Sequence, residues 1–573
     1  MSGGTQMGVG DAVGRAAGGS GGSGGSGGLG GSGGSGGSGG RPRFDVIVLG
    51  GGINGTAIAR DAAMRGFTVL LLEKDDISHA TSAWNSRMIH GGLRYLEHYE
   101  FDLVRESLRE REWLLHSAPH LVKPLPFLFP FQRTNKRSPW LLRMGMLAYD
   151  ILSYDKSLPH FRLYSKKRAL QKAPGLDPAQ LRGGSLFYDA QVDFAERLSV
   201  ENVISARDHG AQVLTHTRAT RLVLEDARVV GVEYRDELTG AVGSAGAAVT
   251  VNAMGPWADD LLEGLPGHDR PLIGGTKGTH LVVDPFPGAP IEGASMYYEA
   301  VSDGRPVLVI PWQGRFLIGS TDIRYHGDAG EVRADDSEID YILSETNLLF
   351  PGAGLTRDSV RFLYTGVRPL PYDPDDDPAK ITRHHIVKDH APAVEGLITI
   401  VGGKLTTFRS LGQDATDKLQ RKLGVKRKCR TRKEALPGGR TADYRKWAAA
   451  FKASSGLPEP TAERLLSIYG VRAAEVAELA RAEGMGAVVD RRSGALAAEV
   501  VHALRAEGTR TLTDVVMRRT MLGLDPELPA ESVEAIVGVM ARHESWPRGR
   551  AKQEIDAYRA YAARFRLAPK KPA

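Results

Sequence analysis

FDVIVLGGGINGTAIARDAAMRGFTVLLLEKDDISHATSAWNSRMIHGGLRYLE, residues Phe44 to Glu97, decides the fold. Asp45 to Leu49 is an apolar, β-branched run of the kind that forms a buried parallel strand, and it ends on Gly50, Gly51 and Gly52, with Gly55 three residues on. The spacing predicts a helix from Asn54 to Arg65. Gly50 permits a tight turn, Gly52 lets backbone approach a pyrophosphate, and Gly55 lets the helix pack close to the strand, so that free N–H groups and the helix dipole face two phosphates. A second strand, Thr68 to Leu72, ends at Glu73. An acid there accepts hydrogen bonds from a ribose 2′-OH and repels a 2′-phosphate. A lone glycine triplet of this form is weak evidence. Strand, glycines, helix, strand and terminal Glu within about 30 residues is strong evidence for a dinucleotide site.

Composition bounds the rest. With 573 residues, 42% hydrophobic and 7% aromatic, the chain has room for two or three globular domains. Its one cysteine, Cys429, excludes an intramolecular disulfide or a Cys-based metal cluster, so no metal site is expected and a reducing cytosol is the fitting compartment. No apolar run approaches the ~20 residues needed to span a bilayer, and the N-terminus carries no signal-peptide core. The 74 basic and 68 acidic residues leave +6, which suits an anionic surface or substrate better than dedicated nucleic-acid binding.

Residues Gly18 to Gly40 are Gly and Ser apart from Leu29, a flexible coil that cannot bury a core, and positions 1–43 are set aside as an extension or linker. Leu103 to His116 reads as an amphipathic helix, followed by the proline-broken apolar run PHLVKPLPFLFPFQ. Short β runs at Gln212 to Leu214, Ala219 to Leu224 and Val229 to Tyr234 precede Ala248 to Asn252, and Thr279 to Asp322 alternates as an antiparallel layer. The expected organisation is α/β: a Rossmann-like cofactor domain, in segments near 44–118, 190–260 and 361–423, interrupted by a β-rich substrate domain near 119–189 and 265–360. From 431 to 573 the text turns Ala-, Arg- and Glu-rich with helical periodicity, predicting a C-terminal α-helical domain.

Three distant segments read as one cofactor cradle. Thr81, Ser82, Asn85 and Ser86 can lie along a diphosphate and ribitol, and Gly91 and Gly92 let backbone pass a flat ring. VTVNAMGPWAD brings a strand end to Gly255, on the adenosine side. GLITIVGGKLTTFRSLGQ supplies Gly402, Gly403, Lys404, Leu405 and Thr406 before a helix starting around Thr406, whose N-terminus would stabilise negative charge on a reduced flavin. A nicotinamide enzyme needs no such third segment, and no second glycine fingerprint occurs, so the cofactor is read as FAD. Arg94, His280, Arg368, Arg383 and Lys404 stand beside these segments. Singly each arginine reads as a surface ion pair; together they fit a phosphate or carboxylate substrate.

GGGINGTAIARDAAMRG, MIHGGLRYLEHYEFDLVRESLREREWLL, KGTHLVV, IPW, IGSTDI, YTGVRPL, ITR and GGKLTTFR, in this order, resemble the FAD-dependent, quinone-linked sn-glycerol-3-phosphate dehydrogenases of the aerobic bacterial type. The likeness covers about Phe44 to Leu423 and continues more loosely to RTLTDVVMRRTMLGL. It implies a fold like those of the glucose oxidoreductases and D-amino-acid oxidase, and oxidation of glycerol 3-phosphate to dihydroxyacetone phosphate, with hydride passing from C2 to flavin N5 and electrons to membrane quinone. It further implies Arg94, Arg383 and Lys404 around the phosphate with Tyr95 and Thr407 nearby, and Arg368 and His280 toward the C1 and C2 hydroxyls. His280 is the first choice of base because an unperturbed imidazole titrates near ~6.5. Lys404 is its rival, and Arg368 would hold the alkoxide. Ala83, Trp84 and Asn85 replace small hydroxyl residues common in that family, and Arg87 replaces a frequent lysine.

Phe127, Phe129, Phe131, Trp140, Leu141 and Leu142 stand among Arg133, Lys136, Arg137 and Arg143, the mixture an interfacial anchor needs, although a core helix reads equally well. KRKCRTRK, Lys426 to Lys433, meets anionic lipid or is a solvated linker. The expectation is a cytoplasmic enzyme peripheral to the inner face of the cell membrane, with a homodimer allowed and no nucleic-acid partner. The competing readings are a glycerol-3-phosphate oxidase releasing hydrogen peroxide, an amine or amino-acid oxidase, and a non-catalytic flavin-binding scaffold.

Overall fold

Val46 to Leu49 are all buried, and the strand they close, Arg43–Leu49, lies in the middle of a parallel sheet. Its neighbours are Val69–Leu72 on one side and Val242–Asn252 on the other, continued outward by Gln212–Leu214 and Leu397–Val401 respectively. A strand buried on both faces has no use for alternation, which is why the run reads as continuously apolar. The hairpin Thr217–Glu225 and Arg228–Asp236 leaves this sheet from the start of Val242–Asn252. The computed structural model describes residues 42–291, 293–374 and 381–567, without the side chains of Arg94, Glu97, His98 and Pro139. The Gly/Ser tract lies outside the described residues.

Helices Ile53–Met64, Ala195–Asp208 and Phe408–Lys422 cover one face of the sheet through Ile58, Ala62, Val203, Leu411 and Ala415. A Cβ on Gly412 would come 2.9 Å from the Ala57 carbonyl oxygen, so the first and last of these helices touch backbone to side near their N-termini. Asn54 Nδ2 also donates to Gly402 O at 3.0 Å. Both N-termini therefore open on the same space. The last helix starts at Phe408 rather than Thr406, because Gly402 and Gly403 take left-handed φ of 76° and 97° and the chain needs a further turn to recover.

A second, largely antiparallel sheet carries the substrate region. Its spine runs through Thr276–Val283, Arg315–Gly319, Pro306–Trp312, Ser295–Glu299, Val122–Gln132 and Leu181–Val192, with Val360–Arg368 beside the first of these. The proline-broken reading of PHLVKPLPFLFPFQ is corrected here: Val122–Gln132 is one continuous strand. Pro124, Pro126 and Pro130 fall on alternate positions, so their missing N–H groups share one edge, and Ser295–Glu299 pairs with this strand only at Phe127 and Leu128. Phe127, Phe129 and Phe131 are core residues and contribute nothing to an exposed anchor. Helix Pro139–Leu152 is different: it buries Met146 and Tyr149 and exposes Trp140, Leu141, Met144, Leu147 and Ile151.

The C-terminal region is helical, with Tyr444–Ser454, Glu459–Tyr469, Ala497–Arg505, Ala530–His543 and Arg550–Ala562 around a core continuous with that of the second sheet, where Phe565 stacks on Phe362. It packs with the remainder of the chain from Pro42 onward as one compact unit. In the basic linker, Arg427 donates to the Arg65 and Gly66 carbonyls and lies 4.4 Å over the Phe67 ring, while Lys426, Lys428, Arg432 and Lys433 remain exposed. No helix among the described residues is long and apolar enough to cross a membrane.

Candidate active site

Both helix N-termini open into a cavity of about 1100 Å³ that runs from the parallel sheet to the second sheet. At one end its wall is mostly backbone. Gly50 has φ 102°, and a Cβ there would sit 2.5 Å from Ala253 O, so only glycine lets this turn meet the end of Val242–Asn252. A Cβ on Gly55 would lie 1.9 Å from Gly50 O. Helix Ile53–Met64 has Gly52 as its N-cap and no acid in its first turn, leaving its positive end for a ligand. Ser82 Oγ accepts the Ile53 N–H at 2.8 Å.

Glu73 ends the second strand and accepts N–H groups of Gly51 at 2.5 Å and Asp75 at 2.8 Å. Burial, with Asp75 beside it, raises its pKa to about 7. Two donors leave lone pairs on the carboxylate for a ribose hydroxyl. Beyond it, Lys74 Nζ lies 3.4 Å over the Trp257 ring, next to Gly255. Asn54 Oδ1 is buried at the cavity wall without a hydrogen-bond partner. A glycine cradle, two helix N-termini, a ribose acceptor and an unsatisfied amide oxygen together fit FAD.

At the other end the wall is built from charged side chains. Arg368 donates to Asp322 Oδ1 at 3.1 Å, Ser320 Oγ at 2.8 Å and Thr321 O at 3.0 Å. Arg383 reaches the other oxygen of Asp322 at 3.2 Å, and Arg305 donates to the Asp322 carbonyl at 2.7 Å. Lys404 donates to Ser107 Oγ at 3.1 Å and lies 4.4 Å over the Tyr95 ring. Burial lowers the Lys404 pKa to about 7, against the raising fields of Glu106 and Glu100 and with the help of Arg383. Arg305, Arg368, Arg383 and Lys404 all line this end. Such a wall binds an oxyanion.

The structure moves several expected residues off the cavity surface. His280, in Thr276–Val283, is behind the wall: Ser86 Oγ pairs with its Nε2 at 2.9 Å, Tyr364 stacks on it at 5.0 Å, and Nδ1 has no partner. Burial, followed by the fields of Arg368 and Arg87, lowers its pKa to about 3, so the argument from an unperturbed imidazole fails. Thr407 is a buried helix N-cap and does not face the cavity. Gly51, Gly55 and Gly91 also stand back from it. Gly51 gives its N–H to Glu73, Gly55 serves the turn, and Gly91 donates to Tyr149 Oη and Asp189 Oδ1.

Gly50, Gly52, Asn54, Glu73, Thr81, Ser82, Ser86, Gly92, Tyr95, Gly255, Gly402, Gly403, Leu405 and Thr406 do line it. The Arg94 side chain lies outside the described residues. The substitutions noted in the cofactor loop have local partners: Trp84 packs on Tyr364 and Phe565, Asn85 Nδ2 donates to Ser82 O, and buried Arg87 pairs with both oxygens of Glu196. Sequence reasoning missed Arg305 and Asp322. Arg305 follows a turn, Asp303-Gly304, and carries no motif; Asp322 stands inside the quoted IGSTDI but had no expected arginine partner.

The family model described as FAD dependent oxidoreductase matches residues 45–409, and that of the C-terminal domain of alpha-glycerophosphate oxidase matches residues 429–551. A glycerol-3-phosphate dehydrogenase of Synechocystis sp. is 41% identical over 533 residues, which covers 90% of this chain and 96% of the relative. A D-erythritol 1-phosphate dehydrogenase of Brucella abortus is 37% identical, covering 77% of this chain and 87% of its own. Among solved structures, the glycerol-3-phosphate dehydrogenase from Bacillus halodurans complexed with FAD superposes with a TM-score of 0.75 at 26% identity, over 93% of this chain and 96% of that one.

Proposed function

The chain belongs to the FAD-dependent glycerol-3-phosphate dehydrogenase family, and on that premise we propose that it oxidises sn-glycerol 3-phosphate to dihydroxyacetone phosphate and passes the electrons to a membrane quinone. The observation that carries the substrate is the convergence of Arg305, Arg368, Arg383 and Lys404 on one end of the FAD cavity. Arg383 and Lys404 hold the phosphate, and Tyr95 flanks the lysine. The dianion raises the Lys404 pKa on binding, which keeps this lysine a cation in the complex and makes it a poor base. Arg368, braced by Asp322 and Ser320, faces the C2 oxygen and stabilises the charge that develops there. Ser86, which lines the cavity, is the hydrogen-bond partner for the C2 hydroxyl, and the neutral His280 behind it holds the Ser86 hydroxyl in place. Bound FAD supplies the acceptor for the hydride from C2.

Quinone as acceptor is supported by helix Pro139–Leu152. Its exposed Trp140, Met144, Leu147 and Ile151 share one face, with Arg133, Lys136 and Arg143 exposed nearby. From the opposite face Tyr149 donates to Asp189, a cavity residue. An apolar stripe with cations suits a peripheral enzyme on the anionic, cytoplasmic face of the cell membrane. The test is anaerobic addition of glycerol 3-phosphate while flavin absorbance is followed, then admission of a soluble quinone or of air. Bleaching followed by fast reoxidation with quinone is expected. No bleaching overturns the substrate, and rapid reoxidation by air alone makes the protein an oxidase.

A further inference from the structure

The cofactor loop after Glu73 has two sides. Glu73, Lys74, Asp75, His79, Thr81 and Ser82 face the cavity, whereas Asp76 points the other way and is fully buried. Its carboxylate is held by two guanidiniums from the C-terminal region: Arg518 Nε at 2.6 Å and Arg519 Nη1 and Nη2 at 2.8 and 2.9 Å. Both arginines come from the turn Val515–Arg519 and are themselves buried. A second grip lies alongside. Asp514 pairs with Arg518 at 2.9 Å and with His216 Nε2 at 2.9 Å, and the His216 N–H donates to Asp75 O at 2.6 Å. The C-terminal region thus holds Asp76 directly through its side chain, and Asp75 only indirectly, through His216.

We infer that Arg518 and Arg519 are positioning residues for FAD, acting through Asp76 to hold the loop that presents Glu73 and Ser82 to the ribose and diphosphate. Neither arginine lines the cavity, so their effect reaches the cofactor only by fixing this loop. A backbone segment that must present several acceptors at once is useful only if its conformation is set before the ligand arrives. Two guanidiniums on one buried carboxylate, each with a further acceptor in Asp514 or the Glu507 carbonyl, leave that loop little alternative. The inference requires bound FAD and is independent of which alcohol is oxidised.

The experiment follows release of FAD from diluted holoenzyme by the rise in flavin fluorescence, with amide hydrogen exchange over residues 73–82 as a second reading. Arg519→Met should release FAD at least tenfold faster and exchange faster in that loop, while kcat with excess FAD stays within twofold of the parent. Arg472→Met is the control. Arg472 is also buried in the C-terminal region and donates to the Glu507 carboxylate, whereas Arg519 donates to the Glu507 carbonyl; Arg472 does not touch the loop, so it should lower Tm and leave FAD release within twofold. Should Arg519→Met fail to accumulate, Asp76→Asn keeps the side-chain shape, removes the charge, and is expected to show the same faster release. Unchanged release in the loop variants, or an equal increase in Arg472→Met, would overturn the inference.

Discussion

The two ends of the cavity are built from different materials. The cofactor end is backbone: turns at Gly50 and Gly403, a helix N-terminus at Gly52, and N–H groups capped by Ser82 and Glu73. The substrate end is side chain: Arg305, Arg368, Arg383 and Lys404, organised by Asp322 and drawn from segments far apart in the chain. A backbone site fails all at once when a turn is forced open, because every donor in it moves together. A side-chain site fails one function at a time.

Breaking the cofactor end should give the largest effect. Gly55→Ala places a Cβ within 1.9 Å of Gly50 O, so the turn must open, and the purified protein is expected to carry no flavin absorbance. At the opposite end, Arg368→Met should lower kcat by about 10²–10³ while FAD content stays at the parent level, read by the flavin-to-protein absorbance ratio. Equal loss of both would place Arg368 in the cofactor site instead.

A smaller effect comes from Lys404. Its free pKa of about 7 lies below the ordinary lysine value, and binding a phosphate dianion raises it. Binding above pH 7 therefore takes up a proton, and KM should climb with pH by at most about tenfold per unit. Below pH 7 the lysine is already charged, so this dependence vanishes. Lys404→Met should have a high KM without that slope, measured between pH 6.5 and 8.5. Smallest is Lys74→Met. It removes a cation over Trp257 worth about 0.5–1 kcal/mol, a two- to fivefold weakening of FAD binding by fluorescence titration, with turnover at saturating FAD unchanged.

The same contrast explains what the chain reveals when read as text. Backbone sites need glycines at fixed offsets within regular elements, so GGGING after an apolar run and VGGKLTT before a helix carry their geometry in contiguous letters. Side-chain sites depend on where strands land in a sheet. Nothing near Arg305 says that it will meet Asp322, and nothing in KGTH says that His280 will be sealed behind Ser86 with a pKa of about 3. Burial sets that value, and burial is a property of the packed sheet. The strand with three prolines was hidden for a related reason. Proline counts against a strand in general, yet its tolerance depends on which edge is paired, and that appears only with the neighbours in place.

The position of Arg43–Leu49 has a consequence for how the protein is made. This first strand pairs on one side with Val69–Leu72, available almost at once, and on the other with Val242–Asn252, about 200 residues later. At ~5–20 residues per second of synthesis, an apolar strand edge waits unpaired on the nascent chain for roughly 10–40 s. Leu397–Val401, which brings the second glycine turn, emerges later still. FAD loading is thus expected to follow synthesis of most of the chain, and the hazard for this protein lies on the ribosome, where an unfinished sheet can find the wrong strand before its own arrives.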